Sequence, residues 1–211
     1  MLTDKDRSHS ESAEPIVFVV EDDDDMRISL HETLTKASLN TKCFRVPSEF
    51  LEYYKCSMGG CLVVDFQLPE INGLQLYDRL AEMKYTLPFI VISGFANVSR
   101  VRDAFRQGAV DFLEKPFGRA ELLEQVNVAL EQDAENRQRQ RERDTVAARL
   151  VLLTPREKEL MNLLTDGWET KAIANKLGIS RKTAHNHRAH ILEKMKVDNV
   201  PRLVRLIQTV Q

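Results

Sequence analysis

Over the first 130 residues, short β-branched and aromatic runs alternate with longer stretches of helical periodicity, and that alternation leaves few folds open. The runs are IVFVV at 16–20, TKCFR at 41–45, CLVVD at 61–65, PFIVIS at 88–93 and VDFL at 110–113. Helical patterns fill the gaps at about 26–37, 47–55, 73–84, 97–107 and 119–130. A βα alternation of this kind predicts a five-stranded parallel sheet with helices on both faces. Three of the runs are apolar nearly throughout, as strands covered on both sides must be.

The first run ends abruptly in charge: IVFVVEDDDDMR, residues 16–27, sets five apolar side chains against five carboxylates. In open α/β sheets ligands bind beyond the carboxyl ends of the strands, and three of those ends carry polar residues here. Glu21 and Asp22 follow the first strand, Asp65 ends the third and Ser93 ends the fourth, while Lys115 follows the fifth, before Pro116. Carboxylates converging in one cleft repel unless a cation joins them, and hard oxygen donors suit Mg2+. An Asp can itself be a nucleophile that forms an aspartyl phosphate, with a Lys and a hydroxyl stabilising the transferred group. Asp65, on the central strand, is the expected acceptor. Asp23, Asp24 and Asp25 are expected to cap the next helix and meet its positive end.

Charge divides the chain. Residues 1–130 carry 14 Lys and Arg against 21 Asp and Glu, residues 131–149 carry 5 and 5, and residues 150–211 carry 11 and 6. An acidic half joined to a basic half points to cations or a cationic protein as partners of the first and a polyanion as partner of the second. The middle segment, EQDAENRQRQRERD at 131–144, has good helix formers and well-ordered i,i+4 pairs, Asp133 with Arg137 and Glu135 with Arg139. It reads as a solvated helical linker continuing the last helix of the first domain. A disordered charged tract is the alternative, because Arg137, Arg139, Arg141 and Arg143 repel one another.

After the linker the strand signals stop. LTPREKEL contains a capping box, Thr154 with Glu157, and Pro155 at the first helical position. Four short helices are expected: to about Thr165, from Thr170 to Leu177, from after Ser180 to Lys194, and from about Val200 to Val210. The middle pair is separated by GIS, which predicts a helix-turn-helix with its second helix in the DNA major groove. On that helix Ala184, Ile191 and Met195 share one stripe and Lys182, Asn186, Ala189 and Glu193 lie opposite. Arg181 and Lys182 in the first turn oppose the helix dipole by about 0.3–1 kcal/mol each, a cost that a phosphate at the helix start would remove. His185, His187 and His190 have no zinc-like spacing. Cys43, Cys56 and Cys61 form no CxxC and read as reduced packing residues.

Two sets of motifs resemble known families. VVEDDDDMR, LVVDFQLPEINGLQL, IVISGFA and DFLEKPF, in order, resemble two-component receiver domains. LTPREKEL and KAIANKLGISRKTAHNHRAHILEKM resemble the LuxR-type helix-turn-helix, so the chain looks like a response regulator of the FixJ/NarL family. The resemblance implies a flavodoxin-like receiver at 15–130, a disordered tail at 1–14, the linker at 131–149 and a DNA-binding domain at 150–211. It implies Asp65 as phosphoacceptor, with Mg2+ or Mn2+ held by Glu21, Asp22, Asp65 and the backbone carbonyl of Gln67. Ser93 and Phe112 are the implied switch residues and Lys115 the phosphate-pairing cation, with a cis bond from Lys115 to Pro116. Glu21 stands where many members have Asp. Arg181, Lys182, Thr183, His185, Asn186 and Ala189 are the implied DNA face, while the role of Arg188 is open.

The implied partners are a sensor histidine kinase, double-stranded DNA, RNA polymerase and a second copy paired through the fourth helix, fifth strand and fifth helix. The chain would accept phosphoryl rather than turn over a substrate, with at most slow self-dephosphorylation. Without a run near the roughly 20 apolar residues a membrane span needs, or a signal-peptide core, a cytoplasmic protein is expected. Three rivals are weighed: a receiver never phosphorylated, an aspartyl-phosphate phosphatase of the haloacid-dehalogenase type, and an acidic scaffold without a DNA role. The phosphatase would need a second Asp where Gln67 stands.

Overall fold

In the computed structural model, which describes residues 14–83, 87–95 and 98–209, five strands and nine helices follow one another in the expected order. The tail expected at 1–14 lies, but for Glu14, outside the described residues. The first part comprises β1 (Ile16–Val20), α1 (Asp24–Lys36), β2 (Asn40–Phe44), α2 (Pro47–Tyr53), β3 (Gly60–Asp65), α3 (Gly73–Glu82), β4 (Phe89–Ser93), α4 (Val98–Arg106) and β5 (Asp111–Glu114). The helices α5 (Arg119–Val151), α6 (Pro155–Thr165), α7 (Thr170–Leu177), α8 (Arg181–Lys194) and α9 (Val200–Gln208) complete it. The chain divides into two compact units at Arg137 and Gln138, within α5.

In the first unit the sheet is wholly parallel, in the order β2-β1-β3-β4-β5. Side chains alternate between its faces. Phe18, Val20, Leu62, Val64, Phe89 and Val91 pack with α2, α3 and α4, whereas Val17, Val19, Val63, Ile90, Ile92 and Leu113 pack with α1 and α5. Strands buried on both faces have no polar side to show, which is why three of the runs are nearly all apolar. The connections reverse direction between β1 and β3, so the crevice at the carboxyl end of the sheet opens there.

The segment at 131–149 is helical throughout, as the sequence leads one to expect, but its beginning is not solvated. Asp133 is buried and accepts hydrogen bonds from Gly60 N at 2.8 Å and Arg137 Nε at 2.9 Å. Arg137 also donates to the carbonyls of Ser57 and Met58. The pair that reads as a surface i,i+4 bridge thus anchors α5 to the start of β3. Gly60 is required there, because its φ is +138° and a Cβ would lie 1.8 Å from the carbonyl oxygen of Ile16. Asp133→Ala strips the buried Gly60 amide of its acceptor, and the expected cost is about 2 kcal/mol. A lower denaturation midpoint together with faster hydrogen exchange at Gly60 is the expected readout.

The second unit has its own core, built from Val146 of α5, Leu160, Met161 and Leu164 of α6, Ile173 and Ala174 of α7, Ala184 and Ile191 of α8, and Leu203 of α9. The capping box at Thr154 and Glu157 is formed, and α7 ends at Gly178 in the left-handed conformation, φ +65°. Ser180 then caps α8 by accepting from Thr183 N at 3.0 Å. No helix among the described residues is long and apolar enough to cross a membrane. The cysteines are free, and two fit the packing role: Cys61 is buried and Cys43 partly so, with burial raising both thiols. Cys56 is exposed, because it falls in the turn after α2, and is no packing residue.

Candidate functional site

Register brings the charged strand ends together. Val20 pairs with Val64 and Asp65 with Ile92, so Glu21, one residue beyond β1, comes level with Asp65, and Ser93 lies one step past Ile92. Ser93 pairs with Glu114, which puts Lys115 one step beyond β5 at the same edge. Asp23 accepts from Met26 N at 2.8 Å as the N-cap of α1, and Asp24 and Asp25 occupy its first turn, as the sequence implies. Glu21 and Asp22 line the cleft with Asp65, Gln67 and Lys115, and Asp23 and Asp25 border it from the start of α1.

The Lys115 ammonium lies between two carboxylates, 2.7 Å from Glu21 Oε2 and 2.7 Å from Asp65 Oδ2. Glu21 is fully buried and Asp65 is 7 % exposed. The Glu21 carboxyl is raised to about 7: burial pushes it up most, Lys115 pulls it back in part, and the charge of Asp65 adds to the rise. Burial lowers the Lys115 pKa, but its bonds to Asp65 and Glu21 outweigh that and hold it above the ordinary value. The amide of Gln67 donates to Asp65 Oδ1 at 3.0 Å. Both Asp65 oxygens are therefore held, which fixes the orientation of the carboxylate.

One carboxylate oxygen from each of Glu21, Asp22 and Asp65 lies within 4.8 Å of the others. Buried, mutually repelling, hard oxygen donors with an exposed Asp22 on the solvent side fit a small dication that keeps some of its waters. The Ser93 hydroxyl is buried and engaged in its own loop, accepting from Phe95 N at 3.2 Å and facing Phe95 O at 3.4 Å. Phe112 is half-buried on β5 against the α4 side of the sheet. The Lys115–Pro116 bond is cis.

Two contributors to the site went unassigned in the sequence. Gly73 begins α3, and a Cβ there would lie 2.5 Å from the carbonyl oxygen of Asp65, so only glycine lets the helix approach the end of β3. Its signal was the NG pair inside the motif. Arg27 donates to the carbonyls of Glu21 and Asp22, a contact that no residue spacing announces.

In the second unit, α7, the turn and α8 form a helix-turn-helix. Ala184, Ile191 and Met195 are fully buried. Arg181, Lys182, Thr183, His185, Asn186 and Ala189 are exposed, which leaves them available to a groove, although the Thr183 hydroxyl already pairs with Ser180 Oγ at 2.8 Å. Arg188 is half-buried and donates to Thr170 Oγ1 at 3.3 Å, so it ties α8 to the start of α7.

Comparison with known proteins covers both units. Residues 17–127 match the response regulator receiver domain, and residues 151–207 match the bacterial regulatory proteins of the luxR family. Nodulation protein W of Bradyrhizobium diazoefficiens is 36 % identical over 202 residues, covering 95 % of this chain and 89 % of that protein. The transcriptional regulatory protein FixJ of Rhizobium meliloti is 33 % identical over 196 residues, covering 90 % and 93 %. Among solved structures, the response regulator StyR is 33 % identical with a TM-score of 0.83, covering 93 % of this chain and 99 % of that one.

Proposed function

This chain belongs to the two-component response regulators that join a receiver domain to a LuxR-type DNA-binding domain, and on that premise we propose that phosphoryl transfer to Asp65 controls its binding to DNA. The observation that carries the reading is the Lys115 ammonium held 2.7 Å from both Glu21 and Asp65 at the mouth of the acidic cleft. A salt bridge placed only for stability gains little from burying a second, repelling carboxylate. A phosphoryl acceptor needs that set of charges.

A carboxylate oxygen of Asp65 forms a bond to phosphorus while the phosphorus–nitrogen bond of a phosphohistidine in the sensor kinase breaks, and the electron pair stays on the imidazole nitrogen. Glu21, Asp22, Asp65 and the backbone carbonyl of Gln67 would hold Mg2+ or Mn2+, which would supply positive charge to the phosphoryl oxygens. Gln67 N and Lys115 orient Asp65 before the reaction, and Lys115 then pairs with the new phosphoryl charge. The Ser93 hydroxyl leaves Phe95 to donate to a phosphoryl oxygen, and Phe112 follows into the space beside it. The surface of α4, β5 and α5 changes as a result.

That surface then pairs with a second copy, and two output domains meet a roughly two-fold site on DNA through the exposed side of α8. RNA polymerase is the next partner in this reading, and the cytoplasm its place. The chain is an acceptor that loses its phosphoryl group slowly rather than a turnover enzyme.

The test is intact mass after incubation with a small phosphodonor such as acetyl phosphate. One phosphoryl group is expected on the wild-type chain with Mg2+ present and none once a chelator has removed it. An adduct indifferent to chelation would exclude the metal from the reaction.

A further inference from the structure

Asp22 presents a problem of aim. It is exposed, and neither of the bonds from Lys115 that hold Glu21 and Asp65 reaches it, yet its carboxylate comes within 4.8 Å of theirs. A surface Asp on a mobile connection would project from several directions, so its reach toward the cluster depends on how the backbone that carries it is held.

Arg27, near the start of α1, fixes that backbone. Its NH1 donates to the carbonyl of Glu21 at 3.0 Å and to the carbonyl of Asp22 at 3.4 Å. Those carbonyls belong to the two peptide planes that meet at the Asp22 Cα. Holding both planes sets the two backbone dihedrals there, and hence the direction of the Cα–Cβ bond from which the carboxylate projects. The other nitrogen, NH2, pairs with Asp24 in the first turn of the same helix, which braces the guanidinium from behind. Only a planar fork with several donors can reach two carbonyls and a carboxylate at once.

We propose that Arg27 is a positioning residue for the divalent cation: it clamps the β1–α1 connection so that Asp22 completes the carboxylate cluster with Glu21 and Asp65. The proposal rests on the reading that this cluster binds Mg2+. Charge and geometry pull in opposite directions, and the opposition makes the idea decidable. Arg27 is itself a cation close to the site, so deleting its charge alone would tighten Mg2+ binding. Deleting the clamp would weaken it, and groups that orient metal ligands typically contribute about 10–100-fold in affinity.

The experiment is calorimetric titration of the full chain with MgCl2, comparing wild type, Arg27→Met and Arg27→Lys, with melting in chelator recorded for each. Arg27→Met is expected to raise the Kd for Mg2+ about tenfold or more. Arg27→Lys, which keeps the repelling charge but not the fork, is expected to bind Mg2+ more weakly than wild type and no more tightly than Arg27→Met. A Kd for Arg27→Met equal to or below that of wild type overturns the proposal, because a purely electrostatic or surface role predicts that sign. Should the Met variant fail to fold, Arg27→Lys decides alone: weaker binding supports the clamp and a Kd equal to wild type overturns it. Wild type that takes up no Mg2+, with Asp22→Asn indistinguishable from it, removes the metal reading itself and this inference with it.

Discussion

Asp65→Asn is expected to carry no phosphoryl group under conditions that label the wild type, and to melt no lower. The amide nitrogen has no lone pair to give to phosphorus, and the amide oxygen is a far poorer nucleophile than a carboxylate, so the bond cannot form at a useful rate. The change is nearly isosteric and keeps an oxygen for Gln67 N, whose bond to Asp65 Oδ1 is 3.0 Å. It also removes one of two carboxylates that repel each other in the cleft. Glu21 is raised to about 7 mainly by burial, with the charge of Asp65 adding to it, so losing that charge relieves Glu21 while Lys115 continues to pair with it. Intact mass and a melting curve on the same sample check both halves. A labelled variant would move the acceptor to another carboxylate, and a sharply lower melting temperature would make the missing label uninformative about chemistry.

Glu157→Ala is expected to weaken DNA binding by destabilising the second unit while leaving Asp65 able to accept phosphoryl. Glu157 is 3 % exposed, and its carboxylate accepts from Thr154 N at 2.8 Å and from Lys194 Nζ at 2.7 Å. Truncation leaves the partly buried Thr154 amide and a partly covered Lys194 ammonium without their partner, for an expected loss of about 3 kcal/mol, the low end because both groups are partly solvated. A unit of some 70 residues has only roughly 4–10 kcal/mol to lose. Burial raises the Glu157 pKa, but the bonds from Lys194 and Thr154 outweigh it and bring the carboxyl below its ordinary 4.5. A depressed carboxyl contributes stability that is present above the unfolded value and lost as pH falls through the folded one. The gap between wild type and variant should therefore be full at neutral pH and close in acid below 4.5. Lys182→Ala, on the exposed side of α8, is the contrast: unchanged melting, weaker DNA binding and a salt slope reduced by about 1. Equal melting of Glu157→Ala and wild type would sink the argument.

The elements were legible because their signals are local. All five strands fall within a residue or so of the runs that predict them, and α6 begins where the capping box and Pro155 place it. Glu21, Asp65, Ser93 and Lys115 could be put at one sheet edge from sequence because strand ends in a parallel sheet share an edge. Three features could not be read. Asp133 reads as half of a surface pair; it is buried because the amide of Gly60, at the start of β3, takes it as acceptor. Cys56 looked like packing and lies in a turn. Arg27 sat in a quoted motif without a role, because its function is to hold carbonyl groups, which every residue has.

The sequence by itself determined the alternation of strand and helix, the caps, the change from acidic to basic composition and the identities of the reactive groups. These follow from side-chain size, periodicity and hydrogen bonds spanning a few residues. Tertiary structure decided which charges meet. Lys115 reaches Glu21 across 94 residues and Asp65 across 50, and Asp133 meets Gly60 across 73. Such pairings have no local signal, because their energy appears only when the sheet's register closes the distance and its burial removes the water that would otherwise screen them.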